Sequence, residues 1–430
     1  MSEKSASKRL YYLDSVKYIF CLIIFWTHFT GVFWTMCEVK PDLKPGFQVL
    51  FQPPLSIFVD SNLALYGFCM LAGFLAAHKK IKSFKELVIQ IITRYVRFVI
   101  PFFFINLIAF VIYYTIGFPT VISGRLLHNS WVGTYYNHAP TLKELITASF
   151  TMSGELNGPL WMMKYIFFGT CFIFIYNYVR GLIEKNASKG QASIALVIYD
   201  IACLIVMLYS FFHLPEPNFF HFHLVLLGVV LMRVSGLIHK STLHIKENQQ
   251  PAVPASVKYG NITGECKRAG NVSKLVLVRD SFFLLMALLP IFLDAGGLNG
   301  IVYPFMNAHF PAVGEYFMWN MYWVIGFSFF LILGIMHSPV MQKALEIKPL
   351  KIIAPSNFSI YLIHFPLITC FSLHLYILMV NRISYSKEFI IIAVATFLAL
   401  FITAWSYENT VVKFQNKVIK MINDRLMINS

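Results

Sequence analysis

The feature that most constrains this chain is a series of apolar segments, each about 20 residues long, which recurs along most of its 430 residues. Such a segment, as a helix, matches the ~30 Å hydrocarbon core of a bilayer. Inside lipid the backbone polar groups must be paired within the segment, which favours helices. Only 13% of the residues are charged, about half the fraction of soluble domains. The sequence therefore predicts an all-α, polytopic membrane protein.

The apolar segments predict about ten transmembrane helices. Together they form one membrane domain over residues 1–410, followed by a basic cytosolic tail at 411–430. The predicted helices lie at about 15–36, 57–78, 98–118, 160–179, 193–212, 220–238, 275–293, 316–335, 358–380 and 389–405.

The distribution of basic residues predicts the orientation. Of 35 lysines and arginines, 27 fall on the side of the two termini and 6 in the loops of the other side. Cytosolic loops carry such an excess, so both termini are expected in the cytosol. The same rule explains the net charge of +15 without a nucleic-acid partner. Most of the seven cysteines lie inside apolar segments, which is typical of packing residues rather than of disulfides or a metal site.

The first apolar segment carries ionisable side chains on one helical face. Asp14, Lys17 and His28 lie 3 and 11 residues apart, and a turn of about 100° per residue places them on one stripe. Lys17 and His28 are about 16 Å apart along the axis, so a lysine at the cytosolic surface sets the histidine past the middle of the bilayer. Intramembrane ionisable residues are functional candidates, but a histidine that bonds a neighbouring helix fits the same position.

Two arginines begin the third segment. Arg94 and Arg97 are one turn apart on the same helical face, just before Pro101 and after a run of lysines. Paired guanidinium groups match the geometry of phosphate oxygens. A clamp for a phosphate-bearing cosubstrate from the cytosol and a simple basic flank of a membrane helix both fit this pattern.

Two features concern close packing and the outer surface. Gly73 allows a helix or a thin ligand chain to approach the second segment. Trp161 follows Pro159 where the fourth segment begins, at the outer surface. The preceding outer stretch 119–158 is long enough to be a functional element and contains an interfacial helix signal at Leu142–Phe150.

The later segments carry further polar residues. Asn357, Tyr361 and His364 share one face of the ninth segment and line either a cavity or an interhelix hydrogen-bond network. Asp200 and Glu408 need partners inside or beside the membrane. The candidate partners are Lys17, Arg94 and Arg97.

Taken together, these motifs resemble the acyltransferase-3 family, the bacterial integral-membrane O-acyltransferases that modify surface glycans. The resemblance covers nearly all of the chain, and it is the order and spacing of the motifs that make it specific. Ala72 stands where the family has a serine, so any role of that hydroxyl is in doubt. The matching residues are Leu13, Asp14, Lys17, His28, Gly73, Phe74, Arg94, Arg97, Pro101, Pro159, Leu160, Trp161, Ser356 or Ser359, Tyr361, Leu362, His364 and Glu408.

The resemblance implies an activity and a location. The donor is acyl-CoA, most often acetyl-CoA, held from the cytosol as a cosubstrate, with no permanently bound cofactor or metal. The acceptor is a hydroxyl of a lipid-linked or exported glycan, and the chain resides in a bacterial inner or plasma membrane. The site residues expected on this basis are His28, Lys17 and Asp14 for catalysis, Arg94, Arg97, Lys17 and Gly73 for the donor, and Trp161, Tyr361, His364 and Glu408 for the acceptor or the cavity lining.

The chemistry favours His28 as the reacting group, because imidazole, with an ordinary pKa of ~6.5, is the one group on the stripe suited to act as a base at neutral pH. It either deprotonates the acceptor hydroxyl or carries the acyl group. A transporter or flippase of a lipid-linked sugar explains the helices and charges equally well, but not the stripe or the arginine pair. A glycan polymerase is a third reading, for which the outer stretch 119–158 is short.

Overall fold

The computed structural model describes residues 10–35, 55–213, 216–247, 277–291 and 319–428. All regular elements in these ranges are helical, as the sequence predicts. In chain order the α-helices are α1 Tyr11–Phe33, α2 Ser61–Ala77, α3 Phe84–Thr115, α4 Thr120–Leu126, α5 Ser130–Gly133, α6 Leu142–Thr151, α7 Met163–Asn186, α8 Lys189–Phe212, α9 Phe220–Glu247, α10 277–291, α11 Trp319–His337, α12 Pro339–Leu345, α13 Lys348–Ile353, α14 Asn357–Leu367, α15 Leu373–Met379, α16 Tyr385–Tyr407 and α17 Lys413–Ile428.

Each of the ten predicted segments contains a helix. By length and apolar composition, seven helices of the described ranges are able to cross a membrane, or eight if the pair α11 and α12, bent by 90°, counts as one span. Helix α2, with 17 residues, is shorter. The protein is therefore a polytopic helical membrane protein, while the count of ten and the cytosolic position of both termini stay predictions.

Helix α3 begins well before the predicted residue 98. Ser83 caps it, because the Ser83 hydroxyl accepts a hydrogen bond from the backbone N–H of Glu86 at 3.1 Å; such caps satisfy the free N–H groups of a first turn. The helix has 32 residues, or about 48 Å, which exceeds the thickness of the hydrocarbon core. Arg94 and Arg97 consequently lie inside a continuous helix and not at its first turn.

The predicted tail is not a free extension. Helix α16 continues through a π-helical turn, Glu408–Val412, into α17, which packs along α3. The buried side-chain amide of Gln415 donates to the backbone carbonyl of Arg97 at 2.9 Å. The end of the described chain therefore belongs to the same packed unit as the third helix.

Helix α1 lies at the centre of the bundle, packed between α2 and α14. Its rings Phe25, Phe29 and Phe33 are almost completely buried. Helix α8, in contrast, has an apolar sequence with essentially no buried face, as expected for a peripheral helix that faces lipid. Most of α1 is thus enclosed by protein, while Asp14, Lys17 and His28 remain partly exposed.

Close packing of α2 against α9 depends on two glycines. A Cβ atom added to Gly73 would lie 1.8 Å from the backbone oxygen of Val225, and one added to Gly228 would lie 2.4 Å from that of Met70. Small residues allow such backbone approach in membrane helices. Gly73 faces α9 in this packing, and its expected role in donor binding stays a prediction.

We expect Gly228→Ala to lower the free energy of unfolding by about 1–3 kcal/mol, because the added methyl group meets backbone atoms that are unable to rotate away. The measurement is thermal unfolding of the purified protein in detergent. Gly236→Ala, on the same helix but with open space around the added Cβ, is the matched control and should not destabilise. Equal stability of the two variants would contradict the packing assigned to Gly228.

Candidate active site

Two histidines from opposite ends of the sequence meet inside the bundle. Nδ1 of His28 on α1 lies 2.9 Å from Nε2 of His364 on α14. The rings are nearly parallel, with centroids 5.1 Å apart and planes 13° apart. His364 is fully buried and His28 is partly exposed. The pair is therefore a hydrogen-bonded dyad with one accessible member.

The backbone fixes the direction of this hydrogen bond. Nδ1 of His364 lies 2.6 Å from the carbonyl oxygen of Tyr361, which only accepts, so Nδ1 carries a proton. In the neutral ring Nε2 is then an acceptor, and the Nδ1–H of His28 must donate to it. The remaining nitrogen of His28, Nε2, is left with a free lone pair. The dyad thus presents a base on the His28 side.

Contacts with neighbouring elements hold α14 in place around His364. The hydroxyl of Tyr361 donates to the carbonyl of Pro159, and the side chain of Asn157 donates to the carbonyl of Leu362 at 2.9 Å. One turn earlier, Ser359 donates to the carboxylate of Glu408 at 2.7 Å. These bonds come from two different parts of the chain, so the position of His364 is set by the assembled fold.

The outer stretch reaches into the bundle and covers His28. The indole of Trp131 lies against the His28 ring at 6.2 Å, with planes 15° apart, and is 37% exposed. The side chain of Asn129 donates to the carbonyls of Gly31 and Val32 at 2.8 and 3.0 Å. It thereby satisfies acceptors at the end of α1. The aromatic wall around His28 is completed by Phe365, in edge-on contact at 5.8 Å.

A basic cavity lies at the other end of the α1 stripe. Its volume is ≈ 290 Å³, and Lys17, Arg94 and Arg97 all line it. Lys17 forms an ion pair with Asp14 at 2.7 Å. The guanidinium of Arg94 lies over the ring of Phe98 at 4.8 Å, and its Nε donates to Thr170 at 3.2 Å. Three cations from two helices are therefore gathered around one space.

The arginine pair retains its charge for a ligand. In the described ranges, no carboxylate lies within salt-bridge distance of Arg94 or Arg97. Arg94 is partly buried and Arg97 is exposed. Two cations on adjacent turns without a counter-ion repel each other, and an anion relieves that repulsion. The cavity is thus suited to an anionic group.

The wall of the cavity is continuous with the support of the dyad. The ring of Phe68, which lines the cavity, stacks on Tyr361 with centroids 6.3 Å apart. The carbonyl of Tyr361 in turn orients His364. Lys17 and His28 belong to one uninterrupted helix, so the distance from the cavity to the dyad is the ~16 Å that eleven helical residues span.

Other residues singled out in the sequence lie elsewhere. Trp161 packs edge-on against the ring of His221 at 4.9 Å and does not line the basic cavity. Asp200 does not pair with the stripe or the arginine pair. It forms ion pairs with Arg180 and Arg233 beside α7. Glu408 contacts α14 through Ser359.

Two residues beside His28 have contacts that the sequence does not predict. His364 stands among the expected lining residues, yet the structure pairs it with His28. Trp131 belongs to the long stretch 119–158, and the sequence gives no sign that it contacts His28. One signal was available in the sequence. The long stretch 119–158 is predicted on the same side of the membrane as the end of α1 that carries His28, and a reacting group there needs to be shielded from water.

The fold and the site define an integral membrane protein in which α1 connects a hydrogen-bonded histidine pair with a cationic cavity. A family model described as an acyltransferase domain matches residues 10–408, nearly the whole chain, and the chain belongs to this acyltransferase-3 family. The protein is therefore a membrane acyltransferase. No curated protein and no solved structure matches the chain significantly.

Proposed function

We propose that this protein transfers an acyl group, most often acetyl, from cytosolic acyl-CoA to a hydroxyl of a cell-surface or lipid-linked glycan. It acts in the inner or plasma membrane of a bacterium. The observation that carries the proposal is the arrangement of α1, which bears an accessible imidazole base at one level and a lysine in a phosphate-suited cavity eleven residues earlier.

The donor is assigned to the basic cavity by its charge. Coenzyme A carries phosphate groups at one end and the thioester at the end of a long pantetheine arm. Guanidinium groups bind phosphate oxygens through paired, charge-assisted hydrogen bonds. A donor anchored at Arg94 and Arg97 extends its arm along α1, and the ~16 Å to His28 is comparable with the length of that arm. Asp14 and Lys17 act at the donor end, too far from His28 to touch it.

The base is His28. Its Nε2 takes the proton of the acceptor hydroxyl as the oxygen attacks the thioester carbonyl carbon. The resulting imidazolium keeps its Nδ1–H bonded to His364, whose orientation by the Tyr361 carbonyl makes it an acceptor and so stabilises the charge. When the tetrahedral intermediate collapses, the carbon–sulfur bond breaks and the Nε2 proton passes to the leaving thiolate.

An alternative order uses the same nitrogen. Nε2 of His28 attacks the thioester first and holds the acyl group as an acyl-imidazole, which the acceptor hydroxyl then cleaves. Both routes need a neutral His28 with its lone pair on Nε2, and both give the same acylated glycan and free CoA. Rapid quenching of the protein with radiolabelled acyl-CoA and no acceptor separates them, since label bound to the protein marks the second route.

We expect His28→Ala to reduce glycan acylation by at least about a hundredfold, the usual contribution of a positioned base. The protein should still accumulate in the membrane, because the substitution removes a single hydrogen bond, that to His364, and leaves no buried charge. Mass spectrometry of the surface glycan and immunoblotting of the membrane fraction provide the two measurements. His138→Ala, at an exposed outer position, is the control. Normal acylation in the His28 variant would exclude the mechanism.

The contribution of His364 is tested by a pair of substitutions. His364→Phe keeps an aromatic ring but removes the acceptor for the His28 proton, so we expect kcat to fall by about tenfold or more with the donor KM nearly unchanged. His364→Gln places an amide oxygen near the former Nε2 and should retain more of the rate. If the two variants lost the same activity, His364 would serve packing alone.

We expect the double variant Arg94→Ala with Arg97→Ala to raise the KM for acyl-CoA by about tenfold or more, because two charge-assisted contacts are lost. The kcat should change less, since these contacts persist from the bound donor to the transition state. Release of CoA by the purified protein with a glycan acceptor gives both constants. Arg125→Ala, an exposed arginine of the outer stretch, is the control, and an unchanged KM would remove the phosphate role.

A further inference from the structure

A second and larger basic cavity opens where α2 ends and α3 begins. Its volume is ≈ 550 Å³. Six basic side chains line it and only one acidic side chain, Glu184, opposes them. The basic residues are Lys79, Lys80, Lys82, Arg180, Lys185 and Arg233.

The lysines of this cavity are not neutralised. Arg180 and Arg233 both pair with Asp200, which leaves the connection 78–83 as the main source of free charge. In the part of the chain that the structure describes, Lys79, Lys80 and Lys82 have no carboxylate within salt-bridge distance. All three are exposed. The cavity therefore presents several unpaired ammonium groups to one space.

Hydrogen bonds from α7 fix the backbone of the connection 78–83, which carries these lysines. The side-chain amide of Asn177 on α7 donates to the carbonyl of Lys79 at 2.9 Å and to those of Ala76 and Ala77 at 3.3 Å. Ala76 and Ala77 belong to the last turn of α2, where carbonyls lack the partner four residues later that a helix interior provides; the carbonyl of Ala76 also accepts from the backbone N–H of Lys79 at 3.1 Å. The backbone that carries Lys79 and Lys80 is thus fixed by hydrogen bonds. Lysines that serve only as the basic flank of a membrane helix do not need a fixed backbone.

This cavity and the donor cavity have a common neighbour. A smaller space of ≈ 180 Å³ lies between them and is lined by Lys79, Arg94, Arg97, Gln90 and Thr93. Lys79 also lines the larger cavity, and both arginines also line the donor cavity. The three spaces therefore follow one another, with cationic residues at each step, from the lysine connection to the basic end of the α1 stripe.

A ligand that fills these spaces needs anionic groups at more than one point. The donor of the proposed function has them, because coenzyme A carries a diphosphate in the middle of the molecule and a separate 3′-phosphate on its ribose. We infer that the lysine cavity binds the 3′-phosphorylated ribose of the donor, while Arg94 and Arg97 bind its diphosphate. This inference rests on the proposed function and adds a specificity site for the nucleotide end of the cosubstrate.

The test measures binding of coenzyme A and of 3′-dephospho-coenzyme A to the purified full-length protein by isothermal titration calorimetry, which needs no acceptor. We expect the wild-type protein to bind coenzyme A about three- to tenfold more tightly, as befits contacts between exposed charges. In Lys80→Ala with Lys82→Ala, the affinity for coenzyme A should fall towards that for the dephospho form. Lys85→Ala is the matched control, an exposed lysine of the same region outside the cavity lining.

The outcomes separate the inference from the function on which it rests. Equal affinity of the wild-type protein for the two ligands, or a preference that survives in the double variant, overturns the 3′-phosphate site while donor binding stands. Failure of both ligands to bind removes the proposed donor as well.

Repeating the titration in nanodiscs of phosphatidylcholine, with and without phosphatidylglycerol, tests a lipid headgroup as the source of the phosphate. The inference predicts the same ligand preference in both membranes. If the double variant differed from the wild type only in stability with the anionic lipid, and not in ligand preference, the lysines would bind lipid.

Discussion

The hydrogen bond between the imidazoles of His28 and His364 joins two helices whose contact organises the rest of the molecule. An imidazole enclosed in a membrane bundle is costly without a partner, and each ring here satisfies the other. Because the Tyr361 carbonyl fixes the proton of His364, the bond has one direction, and Nε2 of His28 keeps its lone pair outside it. Backbone geometry of α14 thus decides which nitrogen of His28 takes part in the pair.

The charged side chains of the bundle fall into two groups, those with an opposite charge beside them and those without one. Asp200 is enclosed by Arg180, Arg233 and the hydroxyl of Tyr176, so this group is satisfied internally. Arg94 and Arg97 have no such carboxylate among the described residues and border a cavity. In a low-dielectric surrounding, a charge with an opposite charge beside it is much lower in electrostatic energy than a charge without one. The ion pairs of Asp200 are therefore satisfied within the fold, whereas Arg94 and Arg97 are able to gain energy by binding an anion.

Much of the architecture follows from the sequence, because about 20 apolar residues in a row leave the backbone little choice but a helix. Helical periodicity also placed Lys17 and His28 on one stripe, and Arg94 beside Arg97, since both relations are local. The pairing of His28 with His364 could not be predicted from the sequence, because the two residues are 336 positions apart and neither segment contains a pattern that specifies the other. The cover by Trp131 and the packing of Gly73 against α9 depend likewise on how helices meet in three dimensions.

The basic cavity lined by Arg94 and Arg97 takes its walls from both ends of the described chain, with Lys17 on α1 and Gln415 on α17. Contacts between residues so distant in sequence form late, after the intervening chain has been placed. The cavity is therefore complete only once α17 has packed along α3, so its shape depends on the contact between these two helices.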